Sequence, residues 1–99
     1  MAKKLIILGA GESGVGTALL AKQKGYDVFV SDASAIKPIY QSELEANHIP
    51  FESGTHDVER ILEADEVMKS PGIPEKSELV KQIRAKGIPV ISEIEFGYR

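Results

Sequence analysis

The sequence predicts an α/β domain of three layers, with a five-stranded parallel sheet and about four helices. Three observations carry that expectation. Short apolar runs alternate with helix-like segments along the whole chain. Glycines at positions 9, 11 and 14 follow the first apolar run and open the first helix-like segment. A polar helix end with Gly or Asn leads into a β-rich run three times, in AKQKGYDVFV, EANHIPF and RAKGIPVIS. These stretches differ in length and sequence, so they are not a solenoid repeat. They are the rhythm of βαβ units, whose right-handed crossovers build a parallel sheet.

Each element follows in order. KLIILG is a continuous apolar run stopped by glycine, the pattern of a strand buried on both faces. In SGVGTALLAKQKG, Val15, Ala18, Leu19 and the aliphatic stem of Lys22 share one helical face, and Gly25 is placed as a left-handed cap. YDVFVSD is a second strand centred on Val28, Phe29 and Val30. Residues 35–47 read as helical after Pro38, with Asn47 capping the end. IPFESG gives a short third strand. THDVERILEA places Val58, Ile61 and Leu62 on one helical face, with Thr55 or His56 near its start. DEVMKSPGIP is a fourth strand entering a turn, where Pro71 and Pro74 cannot donate to a ladder and Gly72 permits positive φ. EKSELVKQIRAKG is the clearest helix, with Leu79, Val80 and Ile83 together and Gly87 at its end. IPVIS is the fifth strand, and EIEFGYR begins a further element.

Composition narrows the function classes. A chain of 99 residues holds one small domain with a single core. Hydrophobic residues make up 42% and charged residues 27%, an ordinary globular balance. The net charge of −3 argues against a nucleic-acid partner, which selects a basic face. With no cysteine and two histidines, neither disulfides, a thiolate metal site nor a His-rich metal cluster is expected. The apolar run from Leu5 to Ala10 is too short for a signal-peptide core or a membrane span. The expectation is a soluble, cytoplasmic protein.

The glycine loop is the first candidate site. In a βαβ unit the first glycine allows the tight turn, the second lets a phosphate approach the backbone, and the third lets helix and strand pack. The helix N-terminus adds unpaired N–H groups and partial positive charge. Ser13 adds a hydroxyl, whereas the Glu12 carboxylate would repel a diphosphate and is expected to point to solvent. The alternative is a glycine turn holding no ligand. Asp32 ends the second strand, at a distance where an acidic residue bonds ribose hydroxyls in dinucleotide sites. Its other role is to cap the SDAS turn. No arginine follows it directly, which disfavours NADP. Lys69 to Pro74, KSPGIP, ends the fourth strand and is expected on the same sheet edge, with Ser70 offering a hydroxyl and Gly72 a backbone N–H. A strand-to-helix turn stiffened by prolines is the alternative. Glu93 and Glu95 do not face one another on a strand or a helix. His48 and His56 read as surface or capping residues, and no nucleophile–base pair stands out. No G-x-x-x-x-G-K-[ST] loop occurs, so phosphoryl transfer by these residues is not supported.

Taken in order, GAGESGVG, VSD, SPGIP and ISEIEF resemble the N-terminal domain of the Mur ligases of peptidoglycan synthesis, most closely the branch that adds D-glutamate. The resemblance covers essentially the whole chain, and SPGI with SEIEF is its more specific part. It implies a Rossmann-like domain that binds the UDP portion of UDP-N-acetylmuramoyl-L-alanine. Backbone N–H groups around Gly11, Glu12, Ser13 and Gly14 would hold the diphosphate. Asp32, Ala33 and Ser34 would meet the uracil end. Ala33 has no hydroxyl to offer there, and Ser34 can substitute. Ser70, Pro71 and Gly72 would line the other wall. The resemblance also implies a longer enzyme, in which a central ATP-binding domain and a C-terminal domain follow. ATP and magnesium would act there, with no catalytic group, metal ligand or cofactor in residues 1–99 and no activity from them alone. A docking patch for the next domain is expected near Phe96 and Tyr98. The competing expectation, from GAGESG and Asp32 alone, is an NAD(H)- or FAD-binding module of an oxidoreductase or sensor.

Overall fold

A computed structural model describes residues 2–98. Arg99, the last residue of the EIEFGYR stretch, lies outside the described residues. The elements run β1 (Lys4–Leu8), α1 (Glu12–Gln23), β2 (Asp27–Asp32), α2 (Pro38–Ala46), β3 (Phe51–Ser53), α3 (Val58–Ile61), β4 (Glu66–Lys69), α4 (Glu78–Ala85), β5 (Val90–Ile91) and α5 (Glu93–Gly97). All strand pairs are parallel, in the order β3-β2-β1-β4-β5. The chain reverses its direction of travel between β1 and β4, and ligands of open α/β sheets bind outside the carboxyl ends of the strands at such a point.

Side chains alternate across β1, so both faces of this strand enter a core. Leu5 and Ile7 pack with Val30 and Met68 against Ala18 of α1, Leu44 of α2 and Phe96 of α5. Ile6 and Leu8 pack with Phe29 and Val67 against Ile61 of α3 and Ile83 of α4. That is the three-layer sheet read from the continuous apolar run.

The three recurrent stretches are one device used three times. At the end of α1, Gly25 takes φ +88°, its N–H donates to the Lys22 carbonyl, and the Tyr26 N–H donates to the Ala21 carbonyl. At the end of α4, Gly87 takes φ +83° and makes the same pair of bonds to Arg84, with Ile88 bonded to Ile83. At the end of α2, Asn47 is the C-cap, and its side-chain amide donates to the Glu43 carbonyl. The left-handed residue there is His48, at φ +56°, bonded to Glu45 while Ile49 bonds to Leu44. Each is a Schellman motif, which satisfies orphan carbonyls and turns the chain into the next strand.

Four expectations are corrected. On α1 the buried residues are Gly14, Val15, Thr17, Ala18 and Ala21, and Lys22 is exposed, its ammonium donating to the His48 carbonyl at 3.0 Å. Helix α3 is a single turn capped by Asp57, shorter than the THDVERILEA stretch read as helical. The segment after β5 is a fifth helix, because Ser92 and Glu95 form a reciprocal capping box. Phe96 is fully buried, edge-on to Tyr26 at 5.3 Å between ring centroids, so it belongs to the core and not to a docking patch. The exposed apolar residues of α5 and its cap are Ile94 and Tyr98.

Candidate functional site

The turn after β1 is held by sterics and by the end of β2. Gly9 takes φ +101°, a conformation L side chains avoid. Its N–H donates to the Ser31 carbonyl at 2.9 Å. The Ala10 N–H donates to Asp32 Oδ2 at 2.8 Å. A Cβ on Gly14 would stand 2.0 Å from the Gly9 carbonyl oxygen, so only glycine lets the first turn of α1 lie on the loop. Gly11 differs. It has φ −80°, and a Cβ there would meet nothing within 4 Å. The chain itself gives no reason for its missing side chain. Gly11 is also the N-cap of α1, and no side chain caps this helix. In contrast, Asp57, Ser77 and Ser92 cap α3, α4 and α5. The first N–H groups of α1 thus have neither an intrahelical acceptor nor a capping side chain. Glu12 is exposed, as expected, and so is Ser13.

Asp32 works within the chain. Besides holding the Ala10 N–H, its Oδ1 accepts the Ser34 N–H at 2.8 Å. The capping role read from SDAS is realised, and the same carboxylate holds the turn after β1. Ala33 and Ser34 are exposed beside it. The Gly54 N–H ties this loop to the end of β3 through the Asp32 and Ser34 carbonyls, at 2.8 and 3.1 Å. A carboxylate oxygen keeps lone-pair capacity after accepting one bond, so Asp32 can still receive a further donor.

The turn after β4 stands on the same edge. The Ser70 N–H donates to the Leu8 carbonyl at 3.0 Å, and Ser70 Cβ lies over Gly9, 2.7 Å from where a Cβ there would sit. The Ile73 N–H closes the turn onto the Ser70 carbonyl. Pro71 and Gly72 are exposed at its tip. Gly72 is not left-handed, so the turn does not use the freedom that glycine permits. Lys69 instead holds the turn, its ammonium donating to the Ile73 carbonyl at 2.7 Å and reaching the Ser70 carbonyl at 3.5 Å. Beside this wall, Lys69, Pro71, Arg84, Ile91 and Ile94 contribute to a cleft of about 300 Å³. Arg84 spans toward it in an exposed pair with Glu75 at 3.0 Å.

One cluster was missed from the sequence. Ser31, fully buried in β2, places its Oγ 2.7 Å from Glu52 Oε2 and 2.6 Å from His56 Nδ1. A lone serine within VFVSD was its only trace. This brings a hydroxyl and an imidazole together where no pair stood out, but the hydroxyl is closed to solvent. Glu93 and Glu95 form no acid/base pair, since Glu95 Oε1 accepts the Ser92 N–H at 3.0 Å. Among the described residues no group of three His, Asp or Glu could hold a metal ion. No helix among them is long and apolar enough to cross a membrane.

Comparison with known proteins follows this geometry. A family model described as "Mur ligase MurD-like, N-terminal domain" matches residues 3–92. The chain is 59% identical over 99 residues to a UDP-N-acetylmuramoylalanine--D-glutamate ligase of Cytophaga hutchinsonii, covering 100% of this chain and 22% of that protein. It is 58% identical over 97 residues to the enzyme of that name from Bacteroides thetaiotaomicron, covering 98% of this chain and 22% of the relative. The chain thus spans about a fifth of the length of these relatives. Among solved structures, a murein peptide ligase from Psychrobacter arcticus superposes with a TM-score of 0.85 at 25% identity, over 96% of this chain and 20% of that one. A UDP-N-acetylmuramate:L-alanyl-gamma-D-glutamyl-meso-diaminopimelate ligase from Neisseria meningitides gives 0.78 at 27% identity, over 94% and 29%.

Proposed function

Because this chain belongs to the family of MurD-like Mur ligase N-terminal domains, we propose that it binds the uridine diphosphate end of UDP-N-acetylmuramoyl-L-alanine, for a ligase that adds D-glutamate. The observation that supports this reading is Gly11, open in front and unneeded by the chain, at the uncapped start of α1. A diphosphate there receives N–H groups that are already aligned, and the helix dipole favours its charge. The Gly9 and Ala10 N–H groups are used internally, so the donors for the anion are those around Gly11, Glu12, Ser13 and Gly14. Ser70, Pro71 and Gly72 form the facing wall. Asp32 sets the Ala33–Ser34 loop that meets the uracil.

On this reading residues 1–99 recognise and orient the substrate and do no chemistry alone. The ligation uses ATP to convert the substrate carboxylate into an acyl phosphate, which the amine of D-glutamate attacks. ATP and magnesium act in the remaining length of the relatives' architecture, and the work takes place in the cytoplasm. The test is an amide NMR titration of the chain with UDP, UDP-N-acetylmuramoyl-L-alanine, NADH and ATP. Uridine ligands should shift Gly11, Ser13, Asp32 and Gly72, with the full substrate giving the larger response. A clear NADH response without a uridine response overturns the proposal in favour of a dinucleotide module.

A further inference from the structure

Ser31 joins the glycine turn to the segment between β3 and α3. Its main-chain carbonyl carries the Gly9 N–H of the anion turn, and its side chain is anchored in the segment from β3 to α3. We propose that Ser31, Glu52 and His56 are a positioning network for the glycine turn, with His56 fixed with a proton on Nδ1. The consequence for ligand affinity rests on the diphosphate reading above; the network itself does not.

The assignment follows from counting hydrogens. A serine hydroxyl has one hydrogen to donate and can accept as well. Around Ser31 Oγ stand Glu52 Oε2 at 2.7 Å, His56 Nδ1 at 2.6 Å and the Thr55 carbonyl at 3.4 Å, the last too long to compete. Glu52 Oε2 also accepts the Asp57 N–H at 2.7 Å. An ionised carboxylate only accepts, so the Ser31 hydrogen goes to Glu52. Nδ1 then faces an oxygen lone pair at 2.6 Å and must bring its own hydrogen. The reverse assignment sets the Ser31 oxygen against a carboxylate oxygen with no hydrogen between them, in a place water does not reach. The hydroxyl proton is therefore committed to Glu52, and Ser31 is not a nucleophile activated by His56.

The network holds β2 from one side while the glycine turn hangs on the other. Glu52 is the direct cross-strand neighbour of Ser31, and Asp32, next along β2, carries the Ala10 N–H. Glu52 also accepts the N–H of Asp57, the N-cap of α3, which ties the cluster to that helix. Loss of the Nδ1 donor leaves the Ser31 side chain held by Glu52 alone and loosens the carbonyl that supports Gly9. The diphosphate donors then lose alignment.

The test uses the 99-residue chain. Imidazole nitrogen NMR of neutral His56 should show the proton on Nδ1 rather than on Nε2. His56→Leu removes the donor, whereas His56→Asn keeps an N–H close to the Nδ1 position. The Leu variant should shift the Gly9 and Ala10 amide signals and weaken UDP binding by about three- to tenfold, the effect of one lost hydrogen bond. The Asn variant should restore both. Neutral His56 protonated on Nε2, or unmoved Gly9 and Ala10 signals in the Leu variant, overturns the network. The wild-type tautomer decides the matter even where the Leu variant does not fold. Wild-type protein that ignores UDP while the tautomer and amide shifts appear supports the network and overturns the diphosphate reading instead.

Discussion

The turns after β1 and β4 leave neighbouring strands, reach the same edge of the sheet and touch where Ser70 covers Gly9, yet they are held by different means. Around Gly9 and Gly14 the chain comes so close to itself that residue type is dictated by space. Around Pro71 and Gly72 there is room for side chains, and a lysine reaching back to the Ile73 carbonyl keeps the turn in place. The first turn is rigid because nothing larger fits. The second is held by backbone bonds and by one flexible side chain, with no steric demand on its tip. On the proposed reading, one wall of each kind would hold the anion firmly and still adjust to what the anion carries.

Breaking the first wall should cost most. Gly14→Ala drives a methyl into the Gly9 carbonyl, a backbone atom that cannot step aside, and urea unfolding should show a loss of about 3 kcal/mol or more. Asp32→Asn keeps the shape but leaves one of two backbone N–H groups, Ala10 or Ser34, facing an amide nitrogen; the expected loss in the same assay is about 2 kcal/mol. Lys69→Met tests the second wall. It should cost about 1 kcal/mol and speed hydrogen exchange at Ile73 while leaving Gly9 protected. Equal acceleration at both turns would erase the distinction. The smallest effect has the opposite sign. His48 holds a left-handed conformation that Gly25 and Gly87 hold at the matching positions, so His48→Gly should stabilise by about 0.5–1 kcal/mol in thermal unfolding.

The same contrast explains what could be read from residues alone. Steric demand writes itself into residue type, so the glycine turn, the parallel sheet around it and the three helix ends were legible. Ser70, Pro71 and Gly72 were placed on the right edge because the loop follows a strand. Lys69 and Ser31 were not legible, since their partners are backbone carbonyls or side chains brought in from β3 and the loop before α3, and residue type does not mark them. Phe96 misled for a related reason. In a five-residue helix, periodicity cannot tell an inward ring from an outward one, and Tyr26, seventy positions away, decides it. Gly72 permits a left-handed conformation that the turn does not use, which leaves open space as the feature it provides.

The lengths of the outer strands bear on solution behaviour. β3 has three residues and β5 two, and these form the two margins of the sheet. A margin that short offers few free backbone groups for another chain to pair with, so edge-to-edge growth toward fibrils has little to template it. Crowding at high concentration is then governed by side chains that protrude, Ile39, Ile94 and Tyr98, and polar substitutions there should raise the solubility limit without touching the sheet.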